Sequence, residues 1–280
     1  MWKSILLICI MLISCEDMSL SDKKKLLIKD QAPILTDKAG LVWTIDDSQR
    51  LPTWLTYSTN YGLDKGFRGT HFVNEIYGGY VAMANTLISR GNEFANHTFD
   101  HYCDVNSYIN GGGTPEGYYN DHLLLTDNWL ESVGFDLPSH FAWPCGADNQ
   151  TVFDWLVNNN KSRIIRKYST RDYPPNYLTN GTVEGLDGYY SGGNYAGGYT
   201  MEQFYGDFAV DMTMQKQVLD YALSNNICII YISHDVKPRG TFNPATELAT
   251  ATEDLNTMID YANEIGLPIR TVSEMWDLFN

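Results

Sequence analysis

The stretch ICIIYISHD, residues 227–235, opens with six consecutive apolar residues. A short apolar run of this kind, rich in β-branched side chains, is typical of a strand buried on both faces of a parallel sheet. It ends in three polar residues, Ser233, His234 and Asp235. We therefore predict a central buried strand that delivers polar side chains at its carboxyl end.

Other segments of the chain alternate between strand and helix patterns. Apolar runs predict strands at 41–45, 67–73, 94–95, 140–143, 163–166 and 267–270, and helical periodicity lies at 80–88, 119–133, 151–158, 213–224 and 247–264. Strands separated by helices imply parallel pairing with right-handed crossovers. Six or seven such units predict an α/β fold, a distorted (β/α) barrel, whose chemistry lies at the carboxyl ends of the strands.

The long segment 168–208 breaks this alternation. It is rich in Gly, Tyr, Asn and Pro and has no sustained period, so we predict a loop, either a functional one or a surface insertion. Its tyrosine rings suit stacking against sugar faces. We find no internal repeat and no further linker, and predict a single domain over residues 39–280.

The N-terminus has the features of an export signal. Lys3 precedes the short apolar run 5–13, which is followed by Ser14 and Cys15. This run is too short to span a membrane. The small residue before Cys15 resembles the lipobox of bacterial lipoproteins, which implies lipidation at Cys15, a signal peptide over 1–15 and a polar tether over 16–38. The expected location is therefore a bacterial membrane, on its periplasmic or cell-surface face.

Composition limits the partners. The formal net charge is −15, and a surface of that sign repels phosphate backbones, so we expect no nucleic acid. Setting aside Cys9 and Cys15 leaves three cysteines, Cys103, Cys145 and Cys228. Three thiols form at most one internal disulfide, which excludes a disulfide scaffold.

Two further polar clusters follow predicted strands. Asp46 and Asp47 come after the strand at 41–45, and successive side chains of a strand point to opposite sides. One carboxylate is thus free to bind a metal while the other acts as a base. His97 and His101 are four residues apart, a frequent metal-ligand spacing. A zincin-type protease is disfavoured, because Thr98 stands where its glutamate base is required.

A histidine placed directly after a buried strand suits acid–base chemistry near neutral pH. His234 has that position, and its neighbour Asp235 either raises its pKa or caps the next turn. The sequence has no Gly-x-Ser-x-Gly elbow, which argues against a serine triad.

Together these residues resemble the polysaccharide deacetylase (NodB-homology) family of carbohydrate esterases. The family's Thr-Phe-Asp-Asp-Gly motif is similar to 44–48, and its His-Ser/Thr-x-x-His motif is matched in full by 97–101. Its Pro-Tyr-Gly motif is partly matched by Trp143-Pro144-Cys145-Gly146, and its Leu-x-His motif by 232–234. Order and spacing agree from about residue 41 to the C-terminus.

The resemblance implies a role for each matching residue. Asp47, His97 and His101 would bind a divalent metal, Zn²⁺ in most members, with Co²⁺ or Ni²⁺ as alternatives. Asp46 would be the general base and His234 the general acid. The third motif would contribute substrate contacts from Trp143, Pro144 and Cys145, including a backbone N–H at Cys145 that stabilises the oxyanion.

The chain departs from the family pattern at several positions. The family's third-motif arginine, which braces the catalytic aspartate, would fall at Ala142. Arg166, at the end of another predicted strand, is a candidate replacement. Cys145 replaces the usual tyrosine and could pair with Cys103. These departures indicate a divergent member of the family.

The favoured function is metal-dependent removal of N-acetyl groups from an amino-sugar polysaccharide or oligosaccharide. One alternative is an esterase that removes O-acetyl groups from xylan-like glycans by the same metal chemistry. Another is a surface lipoprotein that binds glycans and has lost catalysis. Asp46 and His234 argue against that last alternative, because a binding protein needs neither a base nor an acid.

Overall fold

The computed structural model describes residues 38–76, 78–168, 178–179, 182–183, 189–190, 192–200, 211–243 and 246–280. The predicted signal peptide at 1–15, with the lipidation site Cys15, and all of the predicted tether except residue 38 lie outside these residues. Of the predicted loop 168–208, the structure describes only parts. No helix among the described residues is long and apolar enough to cross a membrane.

Helices follow most of the strands of the main sheet along the described chain, as predicted. The strands are β1 (Gly40–Asp46), β2 (Thr70–Val73), β3 (Glu93–Asn96), β4 (Phe141–Ala142), β5 (Ile165–Tyr168), β6 (Leu178–Thr179), β7 (Thr182–Val183), β8 (Tyr189–Tyr190), β9 (Tyr195–Thr200), β10 (Cys228–Ser233), β11 (Asp235–Lys237), β12 (Ala249–Ala251) and β13 (Ile269–Arg270). The helices are α1 (Leu51–Tyr57), α2 (Gly79–Ser89), α3 (Val105–Asn110), α4 (Pro115–Tyr118), α5 (Leu124–Ser132), α6 (Gln150–Asn158), α7 (Met212–Asn225), α8 (Thr252–Ile265) and α9 (Val272–Phe279).

Seven of these strands close into a parallel barrel. They follow the order β1, β2, β3, β4, β5, β9 and β10, and β10 pairs with β1 to complete the ring. The pairing of β10 with β1 is the longest, with Gly40 opposite Cys228 and Ile45 opposite Ser233. Strand β13 lies beside the start of β1, and β8 pairs antiparallel with β10. The predicted (β/α) barrel is confirmed.

The alternation of side chains along β1 separates the barrel interior from its outer layer. Val42 points inward and packs in the cluster that contains Phe72, Ala95 and Ile230. Trp43 points outward and packs in the cluster beneath α7 and α8. Because Asp46 lies four residues after Val42, it belongs to the inward-facing set and is placed at the carboxyl end of the barrel.

The predicted loop 168–208 needs a correction, because it contributes the barrel strand β9. A Cβ added at Gly198 would lie 2.7 Å from Ile232 Cγ1, so glycine permits the close approach of β9 to β10. This requirement explains a glycine-rich strand whose composition resembles that of a loop. Helices α1, α3 and α9 were also not predicted, and α8 begins at Thr252 rather than at 247 because β12 occupies 249–251.

Candidate active site

Asp46 and Asp47 end β1 at the carboxyl edge of the barrel, and their side chains have different neighbours. Asp46 is buried, with 5% of its surface exposed. The backbone then turns at Asp47, whose φ is 76°, and the Asp47 carboxylate lies 3.5 Å from His101 Nε2. The two adjacent carboxylates therefore lie in two different environments.

His97 follows β3 and is held in one orientation. Its Nδ1 lies 2.9 Å from the carbonyl oxygen of Ala142, so this nitrogen carries the proton and donates it to the carbonyl. The other nitrogen, Nε2, is thereby left with its lone pair. The ring is buried and lies 5.1 Å, centroid to centroid, from the ring of His101. This is the tautomer that a metal-binding histidine requires.

Asp47, His97 and His101 bring one carboxylate oxygen and two imidazole nitrogens within 4.8 Å of one another. This donor set suits Zn²⁺ and related divalent ions, and three protein ligands leave positions for water and substrate. The structure thus brings the three predicted ligands together, and their chemistry fits a divalent metal.

Arg166 is the residue that braces Asp46. Its Nη2 donates to both carboxylate oxygens of Asp46, at 2.6 Å each, in a buried ion pair. The guanidinium also lies over the ring of Phe72, 4.9 Å from the ring centroid. Arg166, the candidate replacement, therefore makes the contact with Asp46 that the resemblance assigns to the third-motif arginine.

The electrostatics of the site favour an ionised Asp46 and a neutral His97. Burial raises the pKa of Asp46, but the charges of Arg166, His97 and His234 outweigh it and hold the pKa below its ordinary value. Burial lowers the pKa of His97 to about 4, against the opposing charges of Asp46 and Asp47. Asp46 is therefore a carboxylate, and His97 neutral, near pH 7.

His234 follows β10 and is half-buried, close enough for its charge to act on Asp46. Trp54 Nε1 donates a hydrogen bond to its backbone carbonyl at 2.8 Å. Asp235 turns away to accept hydrogen bonds from Thr53 and from the N–H of Val236. Asp235 is the first residue of β11 and also pairs with Arg50 and Lys237, so its contacts tie β11 to the start of α1 and are not those of the predicted turn cap.

The third-motif residues lie at the end of β4. Trp143 is 3% exposed and packs against Phe141 and Tyr118, and Pro144 is also buried. Cys145 is exposed, has a φ of 57° and is bonded to Cys103 in a disulfide. Among the three predicted substrate contacts, Cys145 is thus the residue whose side chain reaches the surface.

The sequence analysis missed one residue of the site, Asn74. Its Oδ1 accepts the N–H of Ser48 at 2.9 Å, and its Nδ2 lies 3.5 Å from Asp47 Oδ1. Asn74 therefore supports the turn that presents the Asp47 carboxylate. Its position directly after β2, at the same edge as the other clusters, was the available signal.

Comparison with known proteins identifies the fold. No protein-family model matches the sequence, and no curated protein matches it significantly. A family 4 acetyl xylan esterase from Clostridium thermocellum, solved with a cobalt ion, is 15% identical, with a TM-score of 0.50 over 85% of this chain and 90% of that one. The peptidoglycan N-acetylglucosamine deacetylase Bc1960 is 14% identical, with a TM-score of 0.50 over 86% and 89%. A family 4 pseudoenzyme from Bacillus anthracis is 16% identical, with a TM-score of 0.46 over 88% and 70%.

The chain therefore has the fold of the family 4 carbohydrate esterases, and the resemblance drawn from its motifs is confirmed at the level of the fold. At such low identity the likeness establishes the fold alone. What the chain does must be argued from its own residues.

Proposed function

We propose that this chain is a divergent member of the polysaccharide deacetylase family, a metal-dependent hydrolase that removes N-acetyl groups from an amino-sugar polysaccharide or oligosaccharide. The observation that carries the proposal is the pairing of two neighbouring groups. A buried carboxylate, Asp46, is ion-paired to Arg166, and the ligand set of Asp47, His97 and His101 lies directly beside it.

Asp47, His97 and His101 would hold the metal, with Zn²⁺ the expected ion and Co²⁺ or Ni²⁺ able to replace it. When bound, the metal supplies Lewis-acid polarisation of the acyl carbonyl and lowers the pKa of a water molecule. The ring of His97 stays fixed by its hydrogen bond to Ala142. The protein thus holds its ligands in place before substrate arrives.

Asp46 accepts the proton of the attacking water. It suits this role because Arg166 keeps it ionised and occupies both carboxylate oxygens from one side, which fixes the plane of the group. A base whose pKa lies below its ordinary value remains ready at neutral pH. Proton transfer also requires a short distance between the base and the water, and the position of Asp46 beside the ligand set provides it.

His234 delivers a proton to the departing sugar amine, from the strand end next to β1. The backbone N–H of Cys145 would donate to the oxygen of the acyl group as negative charge develops there. A backbone donor does not depend on the side chain, so cysteine in place of tyrosine preserves this role. Base, acid and donor then surround one acyl carbon.

The direct test is acetate release by the purified full-length protein with Zn²⁺ or Co²⁺ added. We expect release from N-acetylglucosamine oligomers, and slower release from acetylated xylan. Faster release from xylan would reassign the protein as an O-acetyl esterase. No release from either substrate, with metal demonstrably bound, would point to a glycan-binding lipoprotein without catalysis.

We further propose that the protein is exported and anchored by a lipid on Cys15, where it meets an acetylated carbohydrate substrate. The short apolar run and the small residue before Cys15 support this. Cells that express the parent should show the protein in the detergent phase of a Triton X-114 partition, and a Cys15→Ser variant should move to the aqueous phase. An unchanged partition would exclude the anchor.

A further inference from the structure

The Cys103–Cys145 disulfide joins two loops at the mouth of the barrel. Cys103 belongs to the segment between β3 and α3, two residues after His101. Cys145 belongs to the short 3-10 turn Pro144–Gly146 after β4. The bond therefore connects a segment that carries a metal ligand to the segment that carries the proposed oxyanion donor.

His101 is the ligand that the surrounding protein holds least. Its side chain is 34% exposed, whereas that of His97 is 1% exposed and hydrogen-bonded to Ala142. His101 Nε2 faces Asp47 at 3.5 Å, and its Nδ1 lies 3.7 Å from Cys103 Sγ. The Nε2 atom of His101 is thus turned to the ligand set, and its Nδ1 atom is turned to the disulfide.

His101 and Cys145, the two residues whose positions the disulfide would link, both have left-handed backbone conformations. The φ of His101 is 52° and that of Cys145 is 57°. Non-glycine residues in this region cost about 1 kcal/mol or more and persist where the surrounding structure fixes them. The disulfide provides such fixation, because it is formed by Cys145 itself and by Cys103, two residues after His101.

The side-chain hydrogen bonds between the two loops are weaker than the disulfide. Asn106 Nδ2 donates to the carbonyl of Asp148 at 3.2 Å, and Asn149 Nδ2 donates to Asn106 Oδ1 at 2.9 Å, both at exposed positions. Exposed hydrogen bonds compete with water and hold a loop loosely. The disulfide is therefore the covalent restraint between these segments, in addition to the packing of Tyr102 and Val105 in the same hydrophobic cluster as Trp143 and Ala147.

We propose that the Cys103–Cys145 disulfide is a positioning element of the metal centre, which sets His101 and the Cys145 N–H at a fixed separation. The inference rests on the proposed function, since it assigns those two groups their roles. It also makes the site sensitive to reductants. With a phosphine, the S–S bond breaks, the phosphine becomes its oxide with oxygen from water, and the two protons of that water go to the two thiols.

The test compares the full-length parent with a Cys103→Ser/Cys145→Ser double variant, which cannot form the bond and supplies no thiolate to a metal. We expect Co²⁺ affinity, measured by direct titration, to fall about 10- to 100-fold. We also expect faster amide hydrogen exchange at residues 97–104 and 145–147. The phosphine-reduced parent should show the same faster exchange in these segments.

Two matched variants serve as controls. Asn106→Ala removes the two side-chain hydrogen bonds between the loops, and Cys228→Ala removes a buried thiol inside the barrel; both should keep parental Co²⁺ affinity. Circular dichroism confirms that each variant is folded. Parental affinity and parental exchange in the double variant would overturn the proposal. If the parent binds no Co²⁺, the proposed function fails, and exchange alone decides the role of the disulfide.

Discussion

Arg166 reaches Asp46 from the strand next to the one that the family pattern assigns to this arginine. Arg166 on β5 is in register with Ala142 on β4, and its Nη2 lies 2.6 Å from each oxygen of the Asp46 carboxylate. A guanidinium side chain is long enough to bridge the width of one strand. A residue of β5 thus makes the contact with Asp46 that the family resemblance assigns to a residue of β4.

Replacement of this arginine should raise the pKa of Asp46 and leave its carboxylate less firmly oriented. In an Arg166→Met variant, burial still raises the pKa of Asp46, but the main opposing charge is gone. The base then becomes protonated at higher pH, so the acid limb of the kcat/KM profile should move upward. We expect kcat at pH 7 to fall about 10- to 100-fold. The pH profile of acetate release measures both effects.

Arg163→Met is a matched control, because Arg163 lies at the amino ends of the barrel strands, away from the site. It lines a cavity there with Glu93, which begins β3, and His140, which precedes β4. The Arg163→Met variant should leave the acid limb in place. An acid limb that does not move in Arg166→Met would show that Arg166 does not tune the base.

Moving the arginine from position 166 to its register partner, position 142, should restore part of the activity that is lost when Arg166 is replaced. Ala142→Arg alone inserts a second large side chain into a filled barrel interior, where Ala142 packs in the cluster of Phe72, and it should reduce activity. Combined with Arg166→Ala, the new arginine has room to reach Asp46. We expect the double variant to exceed both single variants in kcat.

This comparison is a double-mutant cycle, and residues that share one site should be non-additive. Losses in kcat that simply multiply in the double variant would show that the two positions do not supply the same contact.

Acid stability should depend on His71, a buried residue of β2. Its ring is buried against Phe94, with 5.0 Å between centroids, and burial lowers its pKa to about 3. The unfolded chain binds a proton at this group below its ordinary pKa, about 6.5. As pH falls from there towards 3, the free energy of unfolding should therefore drop by about 1.4 kcal/mol per unit from this residue.

A His71→Leu variant should lose that part of the slope. Urea unfolding of parent and variant at pH 7 and pH 5 measures it, and the parent should lose more stability between the two. Burial lowers the pKa of His140 as well, so some slope remains in the variant. Equal slopes in the two proteins would contradict the assignment to His71.

The sequence predicts those parts of the fold and site that are local. Asp46 ends β1 and Asp47 follows it, and His97 and His101 come within five residues of the end of β3. Strand ends meet at one edge of a parallel barrel, so the meeting of these residues follows from the class of fold. The role of Arg166 depends on the register between β4 and β5, which no local pattern encodes. For that reason the sequence offered it only as a candidate.

The missed elements have comparable causes. Strand β9 has glycine where it packs closely against Ile232, so its pattern lacks the apolar signal of a buried strand. Pro52 lies in the first turn of α1, a position where proline is compatible with a helix, although proline is also a common sign of a loop. In both cases tertiary packing decides what the local pattern leaves open.

The division of labour between Asp46 and the three metal ligands is tested most directly by one variant, Asp46→Asn. Asp46 is buried against Arg166, so we expect the amide to leave Co²⁺ affinity within about threefold of the parent, since Asp47, His97 and His101 are intact. Acetate release from N-acetylglucosamine oligomers by the same sample should fall by at least about 100-fold, the usual contribution of a general base. Acetate release at the parental rate, or loss of Co²⁺ binding together with activity, would contradict the assignment of Asp46 as a base separate from the metal ligands.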